Sequence, residues 1–174
     1  MLTRSTPFTH IKSTLSGTNL KEYEMFERLE VYLAKHSVSI HKNSTNGDTV
    51  DAEINGHAVQ LKYTSSCTGL TYSVHTVKSA GKFEGKRLQT PYSENEPFEF
   101  LVGETGPENH GRFCFIPKAS LLQQGILTIG QTIGKIAARV AAPDRQGTHW
   151  TTPFWDNVDP FKTVARNPIF FPPI

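Results

Sequence analysis

Asp51-Ala52-Glu53-Ile54-Asn55-Gly56-His57-Ala58-Val59-Gln60-Leu61-Lys62 decides how this chain is read. Asn-Gly between two apolar-alternating runs is the strongest short hairpin signal a sequence offers. It separates a strand near 50–54 from a second over 58–63. In the second strand Val59, Leu61 and Tyr63 fall on one face, and Gln60 and Lys62 on the other. Pairing across the turn brings Asp51 beside Gln60 and Lys62. A carboxylate, an amide oxygen and an ammonium then surround one point. Glu53 shares the face of Asp51 by period two. It reads either as a third ligand or as a polar position on a half-exposed strand. Asp48 competes with Asp51 for the acidic role, but it lies further from the turn and reads better as a loop residue.

An acid, a turn and then Gln-x-Lys resembles the core of the PD-(D/E)XK nuclease superfamily, the restriction-endonuclease-like fold. In that pattern the acid opens one strand, and Glu-x-Lys or Gln-x-Lys lies on the next. The Gln form is met among some homing endonucleases of this fold. The short motif carries the resemblance, not the whole chain. It implies an α/β (α+β) domain, with a long N-terminal helix packed on a mixed, mostly antiparallel sheet of five or six strands. It also implies a Mg²⁺-dependent endonuclease acting on double-stranded DNA, with Mn²⁺ as a substitute. Asp51 and Gln60 would then be metal ligands, helped by a backbone carbonyl near Leu61. Lys62 would orient water or stabilise charge on the phosphate. Members of the superfamily often carry a further acid on the helix before the hairpin. Glu24 and Glu27 are the candidates for that role, Glu24 also as a metal ligand. A neutral Gln60 leaves the site with less negative charge than two acids would, and weaker metal binding unless the helix acid makes up the deficit. The bland reading of Lys62 is an exposed ion pair worth under about 1 kcal/mol.

The helix itself is legible. Thr18 or Asn19 can cap it, and Leu20, Tyr23, Phe26, Leu29, Tyr32 and Leu33 step by three and four toward about His36. Glu22, Glu24, Glu27 and Glu30 decorate it, which ordinarily marks a solvated face. Further strands are expected at 38–40, 72–77, 98–102 and 112–116, with a short helix after Pro117. The stretch 131–142 reads as a strand between turns, and 159–166 as a short helix. Lys78, Lys82, Lys86 and Arg87, spaced by Gly81 and Gly85, read as a flexible basic loop suited to phosphate contacts. With His75 they form the candidate nucleic-acid-binding set. An ordinary surface loop is the competing reading. Trp150, Phe154 and Trp155 pack as a lid on the core or stack on bases.

The 174 residues suit one domain spanning 1–174. A polar arm at 1–16, with Arg4 and Lys12, and an apolar, proline-rich tail at 167–174 flank it. A net charge of +2 permits nucleic acid as a partner without demanding it. No apolar run approaches the roughly 20 residues of a membrane span, so no membrane partner is expected. The start lacks the apolar segment of a secretory signal, and two cysteines form no disulfide framework or zinc quartet. An intracellular setting, cytoplasm or nucleus, follows as the expectation. The tail suggests a homodimer, which cutting both strands of a duplex would use. Two other classes compete: a catalytically inactive nucleic-acid-binding module of the same fold, and a small protein-interaction or effector domain.

Overall fold

The protein is described by a computed structural model over residues 17–43, 50–145, 147–166 and 168, with the side chains of 18 and 19 left aside. The arm at 1–16, Asp48 and nearly all of the tail at 167–174 lie outside the described residues. A helix α1 (Gly17–Lys35) opens the described chain. It stops at a Schellman motif. Ser37 takes φ 57°, and the N–H of Val38 donates to Leu33 O at 3.0 Å while that of Ser37 donates to Ala34 O at 3.1 Å. Val38 and Leu33 are buried in the same apolar cluster, the contact this motif usually carries.

Five strands form the central sheet: β1 (Ile40–Lys42), β2 (Ala52–Ile54), β3 (His57–Thr64), β8 (Phe100–Thr105) and β9 (Cys114–Pro117), side by side in that order. Between β3 and β8 the chain makes β4 (Cys67–Thr68), β5 (Thr71–His75), β6 (Val77–Phe83) and β7 (Lys86–Pro91). Only the β3–β8 pair of the central sheet is parallel. A short helix α2 (Lys118–Gln123) follows β9, and β10 (Ala137–Ala141) joins β5 and β4 in a second sheet. The terminal segment is a single 3₁₀ turn, Asp159–Lys162, shorter than the expected helix. It ends where Thr163 takes extended backbone, φ −115° and ψ 147°.

Period-two alternation sorts the sheet into two cores. Val59, Leu61, Phe100, Val102 and Phe115 face Phe26, Leu29 and Leu33 of α1. Ala58, Leu101, Cys114 and Ile116 face Val74 and Val140 of the second sheet and Leu121 of α2. Burial on both faces explains why β8 reads as a continuous apolar run. The strand continues beyond the expected 102 through Gly103 to Thr105; the parallel ladder to Lys62, Tyr63 and Thr64 carries it on. Trp155 is buried, bridged to Cys114, and donates its indole N–H to Ala141 O at 2.9 Å. Trp150 and Phe154 pack against the same core, which favours the lid reading over base stacking. Among the described residues, no helix is long and apolar enough to cross a membrane.

Candidate active site

The hairpin positions the candidate site. Asn55 and Gly56 both have positive φ, 48° and 83°, the signature of the type I′ turn. Ala52 pairs with Val59 and Ile54 with His57, so the ladder points Asp51 at Gln60. Two hydrogen bonds bracket that junction. Asp51 N–H donates to Val59 O at 2.9 Å, and Leu61 N–H donates to Asp51 Oδ2 at 2.9 Å. The carboxylate is thus held by the backbone of the strand that bears Gln60 and Lys62. This is where the structure places the three residues singled out on the hairpin.

Gln60 is 6% exposed, and its Oε1 has no hydrogen-bond partner among the described residues. An unpaired buried amide oxygen costs about 1–3 kcal/mol. It is a hard oxygen donor beside a carboxylate, which suits Mg²⁺ or Mn²⁺ in chemical type. Among the described residues, no three His, Cys, Asp or Glu side chains cluster as a metal site.

The helix-borne acid that meets this cluster is Glu22. Its electrostatic neighbours are Asp51, Lys62 and Lys42. Although the residue as a whole is exposed, crowding around its carboxyl raises the pKa. The Asp51 charge adds to that rise, and the two lysines oppose it. Glu24 has different neighbours, Arg28 and Tyr63. On a helix turning ~100° per residue, Glu24 and Glu27 point ~160° and ~140° away from Glu22. Glu22 is thus the helix acid whose charged neighbours include Asp51 and Lys62. A signal for it existed. Glu22 precedes the buried Met25, Phe26, Leu29 and Leu33 by three, four, seven and eleven residues, so it lies in phase with the apolar stripe. A charge in that phase is the informative one.

Two further residues enter the site from elsewhere in the chain. Lys42 ends β1 half-buried, and its Nζ donates to Asp51 O at 3.2 Å and Asn43 O at 3.4 Å. Burial lowers its pKa, against the pull of Asp51 and Glu22. Tyr92, 2% exposed, lies under Lys62, whose Nζ is 5.6 Å from the ring centroid. Burial raises the Tyr92 hydroxyl pKa, and Lys62 opposes the rise. Glu53 is a structural acid. It is 1% exposed, accepts from Gly56 N–H across the turn and faces His41 Nε2 at 3.5 Å, which commits it to bracing the hairpin.

The basic segment is a hairpin, not a loop. β6 and β7 pair antiparallel as a two-stranded ribbon, with Glu84 and Gly85 at positive φ in the turn. Gly85 supplies the turn and Gly81, at φ 97°, sits in a bulge; glycines that suggest flexibility here serve defined backbone geometry. Lys82, Lys86 and Arg87 are exposed on it. Lys78 is instead paired with the buried Glu96 at 2.8 Å, so its charge is spent anchoring the ribbon base. His75 is exposed at the end of β5, in a different sheet from Gln60 and Lys62.

No protein-family model and no curated protein matches the chain. Solved structures do. A bacterial homing endonuclease, I-Ssp6803I, superposes with a TM-score of 0.59 at 16% identity, covering 81% of this chain and 90% of that one. MepB superposes with a TM-score of 0.50 at 20% identity, covering 69% of this chain and 85% of that one. At such identities the likeness speaks for backbone architecture alone: the chain has a mixed α+β fold shared with these two proteins.

Proposed function

We propose that this protein is a metal-dependent DNA endonuclease whose site is built on the β2–β3 hairpin. The observation that carries the reading is the buried Oε1 of Gln60, which has no hydrogen-bond partner among the described residues and is set opposite an Asp51 carboxylate that Leu61 N–H holds in place. A fold-level likeness to a homing endonuclease supports DNA as the substrate by analogy. Asp51, Gln60 and Glu22 would hold a divalent cation. When bound, that cation supplies positive charge against the phosphate and lowers the pKa of water.

The chain's own residues have separable tasks. Water adds to phosphorus as the bridging P–O bond breaks, and one proton passes in net from the water to the leaving oxygen. Charge accumulates on the non-bridging oxygens on the way. The Lys62 ammonium is the cation on the strand face that bears Gln60, and it donates hydrogen bonds to those oxygens or to the attacking water. Tyr92 fixes where that ammonium lies. Lys42 holds the backbone of Asp51 from the other side.

The test is cleavage of supercoiled plasmid and of a degenerate duplex library in Mg²⁺ and in Mn²⁺. Wild type is compared with Asp51→Ala and Lys62→Ala, each checked for folding by circular dichroism. Wild type should cut, and each variant should lose at least about 10²-fold in rate. Folded variants that cut as fast as wild type, or a wild type that cuts neither substrate with either metal, would refute the reading.

A further inference from the structure

The β6–β7 ribbon stands apart from both larger sheets. Every residue from 78 to 89 is exposed. Its base is fixed: Tyr92 N–H donates to Thr76 O at 2.8 Å, Thr76 Oγ1 donates to Lys135 O at 2.8 Å, and Lys78 pairs with Glu96. Tyr92 is also the residue beneath Lys62, so the ribbon rises directly beside the candidate active site.

Register sorts the ribbon into two unlike faces. Ser79 pairs with Gln89, then Ala80 and Gly81 bulge, and Lys82 pairs with Arg87. Ser79, Lys82, Arg87 and Gln89 therefore share one face. The other face carries the exposed Phe83 and Leu88. Two like charges directly opposite each other destabilise an isolated ribbon. They make sense against an anion. A smooth anionic surface would be served by lysines alone. Here the same face presents the fork of Arg87 and the amide of Gln89, the side chains whose paired donors and acceptors match guanine and adenine edges. A two-stranded ribbon fits the major groove of B-DNA, and a length of ~20 Å exceeds its depth of ~8.5 Å. The bulge adds right-handed twist, which lets the strands follow the groove.

We propose that this ribbon enters the major groove of duplex DNA and reads base edges through Arg87 and Gln89, with Lys82 on flanking phosphates. The proposal rests on the DNA reading above for its substrate class, and it sharpens that class. The major groove of A-form RNA is too deep and narrow for such an element, so duplex RNA is excluded as the ligand.

The experiment is selection from a randomised DNA duplex library in EDTA, where hydrolysis is suppressed, followed by sequencing and by binding titrations over a range of salt. Wild type should enrich a defined sequence. Gln89→Ala and Arg87→Lys should each lose preference at one or two base pairs, on the order of 10- to 100-fold. Arg87→Lys keeps the charge, so its salt dependence should match wild type; Lys82→Ala should lower the slope of log K against log salt by roughly 0.9. These positions are exposed, so the variants should remain folded. Selection of the same sequence by Gln89→Ala and Arg87→Lys as by wild type would overturn the proposal, leaving the ribbon as a phosphate contact or a charged edge that resists strand pairing. A wild type that selects no sequence, or duplex RNA that competes as well as duplex DNA, would also overturn it. Cleavage is scored separately. Selective binding without cutting sinks the nuclease and keeps the reader, and cutting with unchanged selection does the reverse.

Discussion

At the scale of single residues, the site turns on which groups share a direction. Period two on β3 put Gln60 and Lys62 together without any tertiary information. Period 3.6 on α1 also singles out Glu22, but only once the buried stripe is known to run through Met25, because the register of a helix against a sheet is a packing outcome. Glu22→Gln should therefore lower cleavage by 10- to 100-fold, about the loss typical of groups that support a metal site. Glu24→Gln and Glu27→Gln should stay within a few-fold of wild type. Equal losses in all three, measured as initial rates on one duplex substrate, would return the choice to the whole helix face. Gln60→Glu asks a different question. It adds a second carboxylate opposite Asp51, so Mn²⁺ affinity by calorimetric titration should rise on the order of 10-fold. No change would mean that Oε1 is not a ligand.

At the scale of elements, two joints of α1 lend themselves to a test. One is the bidentate pair between Arg28 and Glu104, at 2.8 and 2.6 Å, with Gly111 N–H completing the carboxylate at 2.8 Å. Glu104 is fully buried, so Arg28→Ala leaves its charge uncompensated. A loss of about 3 kcal/mol, or roughly 10 °C in the melting midpoint, is expected by calorimetry. A shift under about 2 °C would show that water replaces the guanidinium freely. The other joint is the Schellman stop. Ser37 occupies a left-handed position that glycine adopts without strain. Ser37→Gly should raise the midpoint by roughly 2–4 °C; a lower midpoint would place a needed contact on the Ser37 side chain. The ribbon makes the complementary point. In the sequence its glycines mark a loop, because Glu84-Gly85 is a weaker turn signal than Asn55-Gly56. Pairing across the turn, which no local pattern reports, turned them into a hairpin and a bulge.

At the scale of the whole molecule, the sheet is covered on both sides, and the second sheet with α2 supplies the cover opposite α1. The two cysteines report on that arrangement. Cys67 is exposed, and Cys114 is buried between the layers, where burial holds its thiol well above the ordinary range. A thiol reagent at neutral pH should modify one cysteine in the native protein and two after denaturation. Rapid modification of both in native buffer would mean that the two layers separate readily, and the candidate site with them.

The hairpin, its faces, the existence of an apolar strand through 100–102, and the helix with its apolar stripe were all determined by the sequence alone, because turn chemistry and side-chain periodicity are local properties of the chain. Tertiary structure alone decided the rest. It decided that Lys42 and Tyr92 flank Asp51 and Lys62, that Glu53 braces a turn, that Lys78 is paired, and that the basic segment is a ribbon. Each of these depends on what lies across a strand or under a helix from a residue distant in the chain. Such a neighbour is fixed by the joint burial of apolar surface in two cores, and no window of sequence contains it.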